Sequence, residues 1–334
     1  MFTFKKKIMT ILLLLNFKLY NCLDKLNNTY YDIDNFVEYT LKFNKSYDTE
    51  NEFNYRKNIY LSNIKKIKQH NLDLSNTYSL SINQFTDMLP HEFNNHKGLI
   101  QEPLYLVDNY INRFIKKHPV CNQFISNKSV NLPSQLDWRE FGVVSNVKNQ
   151  EKCGSCWSFS ATGAIEGAWA IKHELVSLSE QQLIDCSRFY GDLGCHGGLM
   201  DNAFSYAIDN GMCSEDNYPY QGKGKLCQNC NKSVFVSECI DVTTKNQLHL
   251  KEAVALGPVS VAIEADKSIF QFYSNGIINN IDCGTNLDHG VLIIGYGIED
   301  DLPYWLVKNS WGDSWGDNGY VKILLICIST SIKE

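Results

Sequence analysis

The chain has 334 residues, a formal net charge of −6, 44% hydrophobic residues and 20% charged residues. This is ordinary globular composition with room for one large domain or two modest ones, and it excludes a disordered or fibrous chain. The acidic balance, with no gathered Lys/Arg patch, argues against a nucleic-acid partner.

At the front, Lys5, Lys6 and Lys7 precede an apolar run at residues 8–15. A charged start and a short apolar core are the features of a secretory signal peptide, expected over residues 1–22. A membrane span needs about 20 apolar residues, so no span is expected. Of twelve cysteines, all but Cys22 and Cys121 lie after residue 150. On the secretory route disulfides are their default reading. Cys153/Cys156 and Cys227/Cys230 are both Cys-x-x-Cys pairs, but their separation of about 70 residues exceeds zinc-ribbon spacing, so no metal is expected. Asn27, Asn44, Asn127 and Asn231 each begin an Asn-x-Ser/Thr triplet, compatible with glycosylation.

Residues 32–44 read as a short amphipathic helix and residues 50–72 as a longer one. In the second, Glu52, Arg56, Tyr60, Asn63, Ile67 and Asn71 are spaced 4, 4, 3, 4 and 4 apart. At about 100° per residue they share a stripe roughly 100° wide, which spacing alone leaves open as a solvated face or a docking face. Residues 81–87 read as a short alternating strand, containing Asn83, Phe85 and Asp87, and Pro90 opens another helix. Residues 97–130 are irregular and read as a linker, where proteolysis concentrates.

From residue 132 helical patterns come first, at residues 156–173, 179–185 and 199–210. Strand-like runs follow at 258–263, 289–297, 304–309 and 319–323. That order argues for an α+β fold of two packed halves, with a site in the cleft between them. Cys156 lies in the run Cys153-Gly-Ser-Cys156-Trp157. Apolar residues at 157, 161, 164/165 and 168 put it in the first turn of a buried helix. There the positive end of the helix dipole favours a thiolate. A thiolate protease also needs a base and a group that orients the base. His289, at a strand start, would pair with Cys156 and later protonate the leaving amine. Asn309, at a strand end, would fix the imidazole, and Gln150 would donate to the developing oxyanion beside the Cys156 N–H.

Taken together, these runs resemble a papain-family cysteine protease of the cathepsin L type. The further runs that carry the resemblance are 177–183, 185–186, 194–202, 218–220, 257–263 and 308–316. The resemblance implies a two-lobed papain-like fold, the Cys on a helical lobe and the His and Asn on an antiparallel β lobe, behind a mainly helical prodomain. The stripe on residues 50–72 is similar to the family's prosegment pattern, with Tyr60 in place of Phe, and residues 81–87 to a second such pattern. The implied layout is an inhibitory prodomain at 23–96, a processing linker at 97–130 and a peptidase domain at 131–334. The segment after Asp87 would cross the cleft against the substrate direction, blocking Cys156 until it is cut away near residues 120–131. Acid is expected to speed that release, through carboxylates such as Glu52 and Asp87.

By the same resemblance, Gly197 and Gly198 would bond an extended substrate. Leu199, Met200, Ala262 and Leu287 would line an apolar pocket for the second residue before the cut (P2), and Trp311 would shield the His289–Asn309 bond. Implied disulfides are Cys153–Cys195, Cys186–Cys227 and Cys283–Cys327, the last displaced from the family position. Cys121, Cys213, Cys230 and Cys239 have no implied partners, although Cys213–Cys230 suggests itself. The implied function is a cysteine endopeptidase made as a zymogen. It would be a monomer without cofactor, acting on proteins and peptides in a lysosome- or vacuole-like compartment or outside the cell. Two departures stand out. Glu151 replaces a family Gly beside Gln150, and residues 324–334 do not continue the family's last strand, so the peptidase domain is expected to be truncated at its C-terminus. A non-catalytic papain-fold binding protein, inactivated by that end, is the alternative; intact Gln150, Cys156, His289 and Asn309 weigh against it.

Overall fold

The computed structural model describes residues 36–100, 121–126, 131–266, 268–279, 284 and 286–328. The expected signal segment, Asn127 and Cys283 lie outside them. The chain divides into two compact units, residues 1–62 and 63–334, with the boundary inside one helix.

In the first unit, α1 (Phe36–Lys42) and the front of α2 (Glu50–Leu72) carry an aromatic cluster. Tyr39 and Tyr60 lie 4.6 Å apart between ring centroids, and Phe36 lies 5.0 Å from Phe53 and 5.2 Å from Tyr60. Tyr39 and Tyr60 are fully buried, so Tyr60 of the stripe is core. The Glu52–Arg56 pair is looser, at 3.9 Å with its side chains partly exposed, and such pairs stabilise little.

In the second unit the rest of the stripe points at backbone. The Asn63 amide donates to the carbonyls of Thr86 (3.0 Å) and Met88 (3.1 Å). Asn71 exchanges two hydrogen bonds with the backbone of Leu80, at 2.8 and 2.9 Å. Ile67 is fully buried. The strand expected at 81–87 is not formed. The strand here is β1 (Tyr78–Leu80), and residues 83–88 turn back on themselves because Asn83 competes for the backbone. Its Oδ1 accepts from the Phe85 N–H (2.9 Å) and its amide donates to the Gln271 carbonyl (2.7 Å), the local bonding by which Asn disrupts a ladder. The helix opened by Pro90 is one turn long, α3 (Pro90–Phe93).

After the short strands β2 (Asn122–Gln123) and β3 (Leu136–Asp137) come α4 (Cys156–Ala170), α5 (Glu180–Cys186) and α6 (Met200–Asn210). These helices enclose a core that includes Trp157, Leu183, Ile184, Tyr206 and Met212. Ser179 caps α5 by accepting from the Gln182 N–H, an arrangement worth about 1 kcal/mol. The short strands β4 (Met212–Cys213), β5 (Lys232–Val234) and β6 (Ile240–Asp241) lead to α7 (Gln247–Val254), β7 (Val259–Ile263) and α8 (Ser268–Phe272). The sheet is completed by β8 (Tyr273–Ile278), β9 (His289–Glu299), β10 (Leu302–Lys308) and β11 (Tyr320–Leu324). Its strand order is β1-β8-β11-β10-β9-β3, with β7 also paired to β9. Trp305, Tyr296, Ile293, Val307 and Trp315 form its core. Burying aliphatic side chains such as Ile293 and Val307 contributes about 1.5–3 kcal/mol each. A turn at Leu325–Cys327 and the buried Ile328 close the described chain.

Two features aim α4 at β9. Ser160 Oγ donates to the Val291 carbonyl (2.7 Å), and Ser260 Oγ on β7 donates to the Ser160 carbonyl (2.8 Å). Behind this contact Lys148 joins Glu166 on α4 (3.0 Å) to Glu180 on α5 (2.7 Å). Burial pulls the Lys148 pKa down, but the two carboxylates more than reverse it. Two carboxylates share one ammonium, and burial, together with Glu166, pushes the Glu180 pKa up against the pull of Lys148. Disulfides join Cys153–Cys195, Cys186–Cys227, Cys213–Cys230 and Cys121–Cys239. The two Cys-x-x-Cys pairs therefore do not converge on one metal. Cys327 is also disulfide-bonded.

Candidate active site

Cys156 opens α4 with Ser155 as its N-cap, and it is the free cysteine among the described residues. Its sulfur is fully buried and accepts from the Gly290 N–H at 3.3 Å. His289, the preceding residue on β9, is also fully buried. Its Nε2 lies 2.8 Å from Asn309 Oδ1, which also accepts from the Ser310 N–H at 2.8 Å. The second bond fixes the Asn309 amide with its oxygen toward the ring, and an oxygen can only accept. Nε2 therefore carries the proton, and Nδ1 keeps the lone pair of a base. Nδ1 is buried with no hydrogen-bond partner, poised for a proton. Trp311 stacks on the imidazole at 4.5 Å and 24°.

Gln150 is fully buried. Ser310 Oγ donates to its Oε1 (2.6 Å), and its Nε2 donates to the Cys153 carbonyl (2.9 Å), leaving one amide hydrogen uncommitted by that bond. Glu151 takes φ = 55°, the left-handed region that glycine adopts without a Cβ penalty. Its N–H is held by Asn149 Oδ1 at 2.9 Å.

The segment of residues 96–100 lies across this site. His96 Nδ1 bonds the Glu151 carbonyl (2.6 Å), and Trp311 Nε1 donates to the His96 carbonyl (2.9 Å). Lys97 pairs with Asp288 at 2.5 Å. The Gly98 and Leu99 N–H groups donate to the Asp288 carbonyl, and Leu99 bridges Gly198 in parallel through the bonds Ile100 N to Gly198 O (3.3 Å) and Gly198 N to Gly98 O (2.9 Å). Gly98 is in backbone contact here, since a Cβ on it would sit 2.0 Å from the Gly154 carbonyl oxygen. Gly198 is just as constrained, because a Cβ would meet the Trp157 ring at 2.5 Å. Gly197, at φ = 120°, lies under Ile100. The Leu99 side chain packs on the core that contains Met200 and Ala262, as does Leu287. Leu199 is half-buried and tied by its N–H to Asp192 Oδ1 at 3.0 Å. Farther up the chain, Phe85 and Phe93 meet Trp311 edge-on at 5.8 and 5.0 Å. Gln84 donates to the Trp311 carbonyl.

Coverage changes the chemistry expected at Cys156. The helix start favours a thiolate, yet burial pushes the thiol pKa up to about 12, against the Gly290, Gly98 and Trp157 N–H groups. Burial likewise pulls His289 down to about 3, assisted by the nearby Lys97 and His96 charges and opposed by Asn309. With residues 96–100 in place, burial favours the uncharged form of both Cys156 and His289. Asp288, Ser310, Gly98 and Leu99 are site residues that motif reading did not assign. Asp288 stands beside His289 in the sequence, whereas a Gly in an irregular segment gives no signal. Among the described residues one acidic cluster could hold an ion, Cys121 with Asp201 and Asp241. Its sulfur is bound in the Cys121–Cys239 disulfide and so offers no thiolate.

The model of the papain family cysteine proteases matches residues 132–328, and that of the cathepsin propeptide inhibitor domain matches residues 36–93. The chain belongs to the papain family of cysteine proteases. It is 42% identical over 297 residues to cathepsin L of Sarcophaga peregrina, covering 85% of this chain and 86% of that one. It is 44% identical to the cathepsin L-like peptidase of Aedes aegypti, covering 85% and 86%. Among solved structures it is similar to digestive procathepsin L 3 of Tenebrio molitor larval midgut, with TM-score 0.77, 38% identity and coverage of 88% and 95%. The protease is thus a cathepsin L-like zymogen, inhibited within its own chain by its propeptide domain.

Acid is expected to loosen that inhibition through His289. Uncovering the ring returns solvent and removes Lys97 and His96, so its pKa rises toward the ordinary value of about 6.5. Between that value and the covered value of about 3, the uncovered state holds a proton that the covered state lacks. Acid therefore favours uncovering by at most about tenfold per pH unit. Asp288 works in the opposite sense, because burial raises its pKa in the covered state despite Lys97. The rate of processing of the full chain should rise severalfold from pH 7 to pH 5; an unchanged rate would remove His289 as the sensor.

Proposed function

We propose that the protease is an endopeptidase working through a Cys156–His289 pair and an acyl-thioester, with preference for an apolar P2 residue. His289 Nδ1 takes the thiol proton and Cys156 Sγ attacks the substrate carbonyl. The oxyanion is met by the Cys156 N–H and the free hydrogen of Gln150 Nε2. Collapse breaks the C–N bond as the imidazolium protonates the departing amine. Water, deprotonated by His289, then hydrolyses the thioester and regenerates the thiol. Asn309 acts by holding the imidazole tautomer, and Trp311 keeps water from that bond.

The observation that carries the P2 reading is the seat of Leu99. The prosegment itself places a leucine against the core of Met200 and Ala262, beside the Leu99–Gly198 bridge. A substrate extended along Gly197 and Gly198 would present a side chain to the same place. The parallel sense of that bridge fits a prosegment running opposite to a substrate, which lets it fill the cleft without offering a bond to Cys156. A peptide library cut by the activated enzyme should show Leu, Val or Phe favoured at P2 over Lys or Arg by tenfold or more. A strict basic preference would contradict the pocket.

The domain reading is a signal peptide at 1–22, prodomain at 23–96, linker at 97–130 and peptidase at 131–334. Four disulfides among the described residues support passage through an oxidising secretory compartment toward a lysosome-like or extracellular destination, as a monomer.

A further inference from the structure

Residues 121–126 fall between the two matched family regions, which end at 93 and begin at 132, yet they are built into the peptidase. Cys121 is buried and disulfide-bonded to Cys239. Asn122 and Gln123 form β2, which pairs in parallel with Ile240 and Asp241 of β6. The Asn122 N–H donates to the Cys239 carbonyl (2.9 Å) and the Phe124 N–H to the Asp241 carbonyl (2.8 Å). The Asn122 side-chain amide donates to Glu238 Oε2 at 2.9 Å, and the Phe124 ring lies 6.0 Å from that of His249. A segment expected to leave with the prosegment is thus held by one covalent bond and a strand pairing.

We propose that residues 121–126 stay in the working protease as a fastened strand, so that releasing cuts fall on the N-terminal side of Cys121. The consequence is asymmetric. Hydrolysis adds water across one peptide bond, giving a new carboxylate and a new amine, and leaves the S–S bond intact. A cut before Cys121 frees the inhibitory segment. A cut between residues 127 and 131 gives two chains still joined through Cys121–Cys239, with the prosegment attached. A tethered inhibitor rebinds intramolecularly, at an effective concentration that reaches the mM range for short linkers, so such a cut alone leaves Cys156 covered. Freeing it then requires two-electron reduction by a thiol reagent, which is itself oxidised to a disulfide. The proposal rests on the zymogen reading, but one arm of its test needs no activity.

In that arm, a recognition sequence for a highly selective foreign protease is inserted at residues 128–130 of the full chain carrying Cys156→Ala. After cutting in trans, one species is expected on a non-reducing gel and two after dithiothreitol. The same chain with Cys121→Ser and Cys239→Ser should give two species under both conditions. Two species without reductant from the chain that keeps both cysteines would overturn the tether. In the second arm, wild-type full chain is processed in acid and the active, non-reduced product is weighed by intact mass. The expected mass includes residues 121–126, and a non-reducing digest yields a linked Cys121–Cys239 peptide. An active product lacking residues 121–126 would overturn the proposal. Failure to process at all would count against the zymogen reading and leave the first arm to decide the tether.

Discussion

Cys156→Ala is expected to lower kcat on the order of 10⁶-fold, the loss seen when a protease nucleophile is removed. Cys156 is the free thiol among the described residues, it stands at the start of α4, and it is the sulfur met by the Gly290 N–H next to His289. A sulfur bonded to another sulfur cannot substitute for it. Because the side chain is small and buried, Ala fits the same space, and the thermal midpoint of the variant should stay within a few degrees of the parent. Steady-state hydrolysis of a short fluorogenic peptide by acid-treated wild type and variant reads the difference. A variant retaining a tenth of the parent rate would eliminate Cys156 as nucleophile.

Gln150→Ala is the second large effect, with an expected loss of about 10²–10³ in kcat from one missing oxyanion donor. The amide is held in place by Ser310 Oγ on its oxygen and by the Cys153 carbonyl on its nitrogen, so its remaining hydrogen needs no reorganisation during the reaction. The proposed bond would form with the tetrahedral oxyanion and not with bound substrate, so KM should change little. An equal fall in affinity with kcat unchanged would assign Gln150 to substrate binding instead. Ser310→Ala, which frees the amide to rotate, should give a smaller loss in the same direction.

The elements that carry the candidate site were legible as continuous runs with identifiable starts, the small and apolar residues from Cys156 onward and the apolar run after His289. The helix expected from Cys156 begins there and ends at Ala170, three residues short of the expected end, where Trp169 and His173 stack in the closing turn. The long prodomain helix spans residues 50–72 as expected. Strand β9 starts at His289, so the proposed base sits at a sheet end that the hydrophobic run already marked. Other features depend on long-range competition. Alternation at 81–87 suggested a strand, but Asn83 bonds its own backbone and that of Gln271, and the ladder forms earlier, at Tyr78. Connectivity of the remaining cysteines was open, since spacing does not choose among pairings. The helix dipole at Cys156 is local and readable, and covering of the cleft by the segment after Asp87 follows from the resemblance, whereas the contacts that do it, from Lys97, Gly98 and Leu99 to Asp288 and Gly198, come from a segment with no periodicity.

The stripe on residues 52–71 shows how one pattern serves several purposes. Tyr60 and Ile67 are buried, Asn63 and Asn71 satisfy backbone groups of residues 80–88, and Glu52 and Arg56 form a surface pair. The chemistry at each position follows what it faces.

If the prosegment covers a single reactive thiol, Cys156, treating the full chain with a thiol-directed epoxide at pH 7 and after acid processing, then mapping adducts by peptide mass, should distinguish the two states. No adduct is expected in the intact neutral chain, where Cys156 is fully buried, and one stoichiometric adduct on Cys156 is expected after processing. Labelling of Cys156 in the intact chain at the processed rate, or an adduct on a different residue, would contradict that expectation.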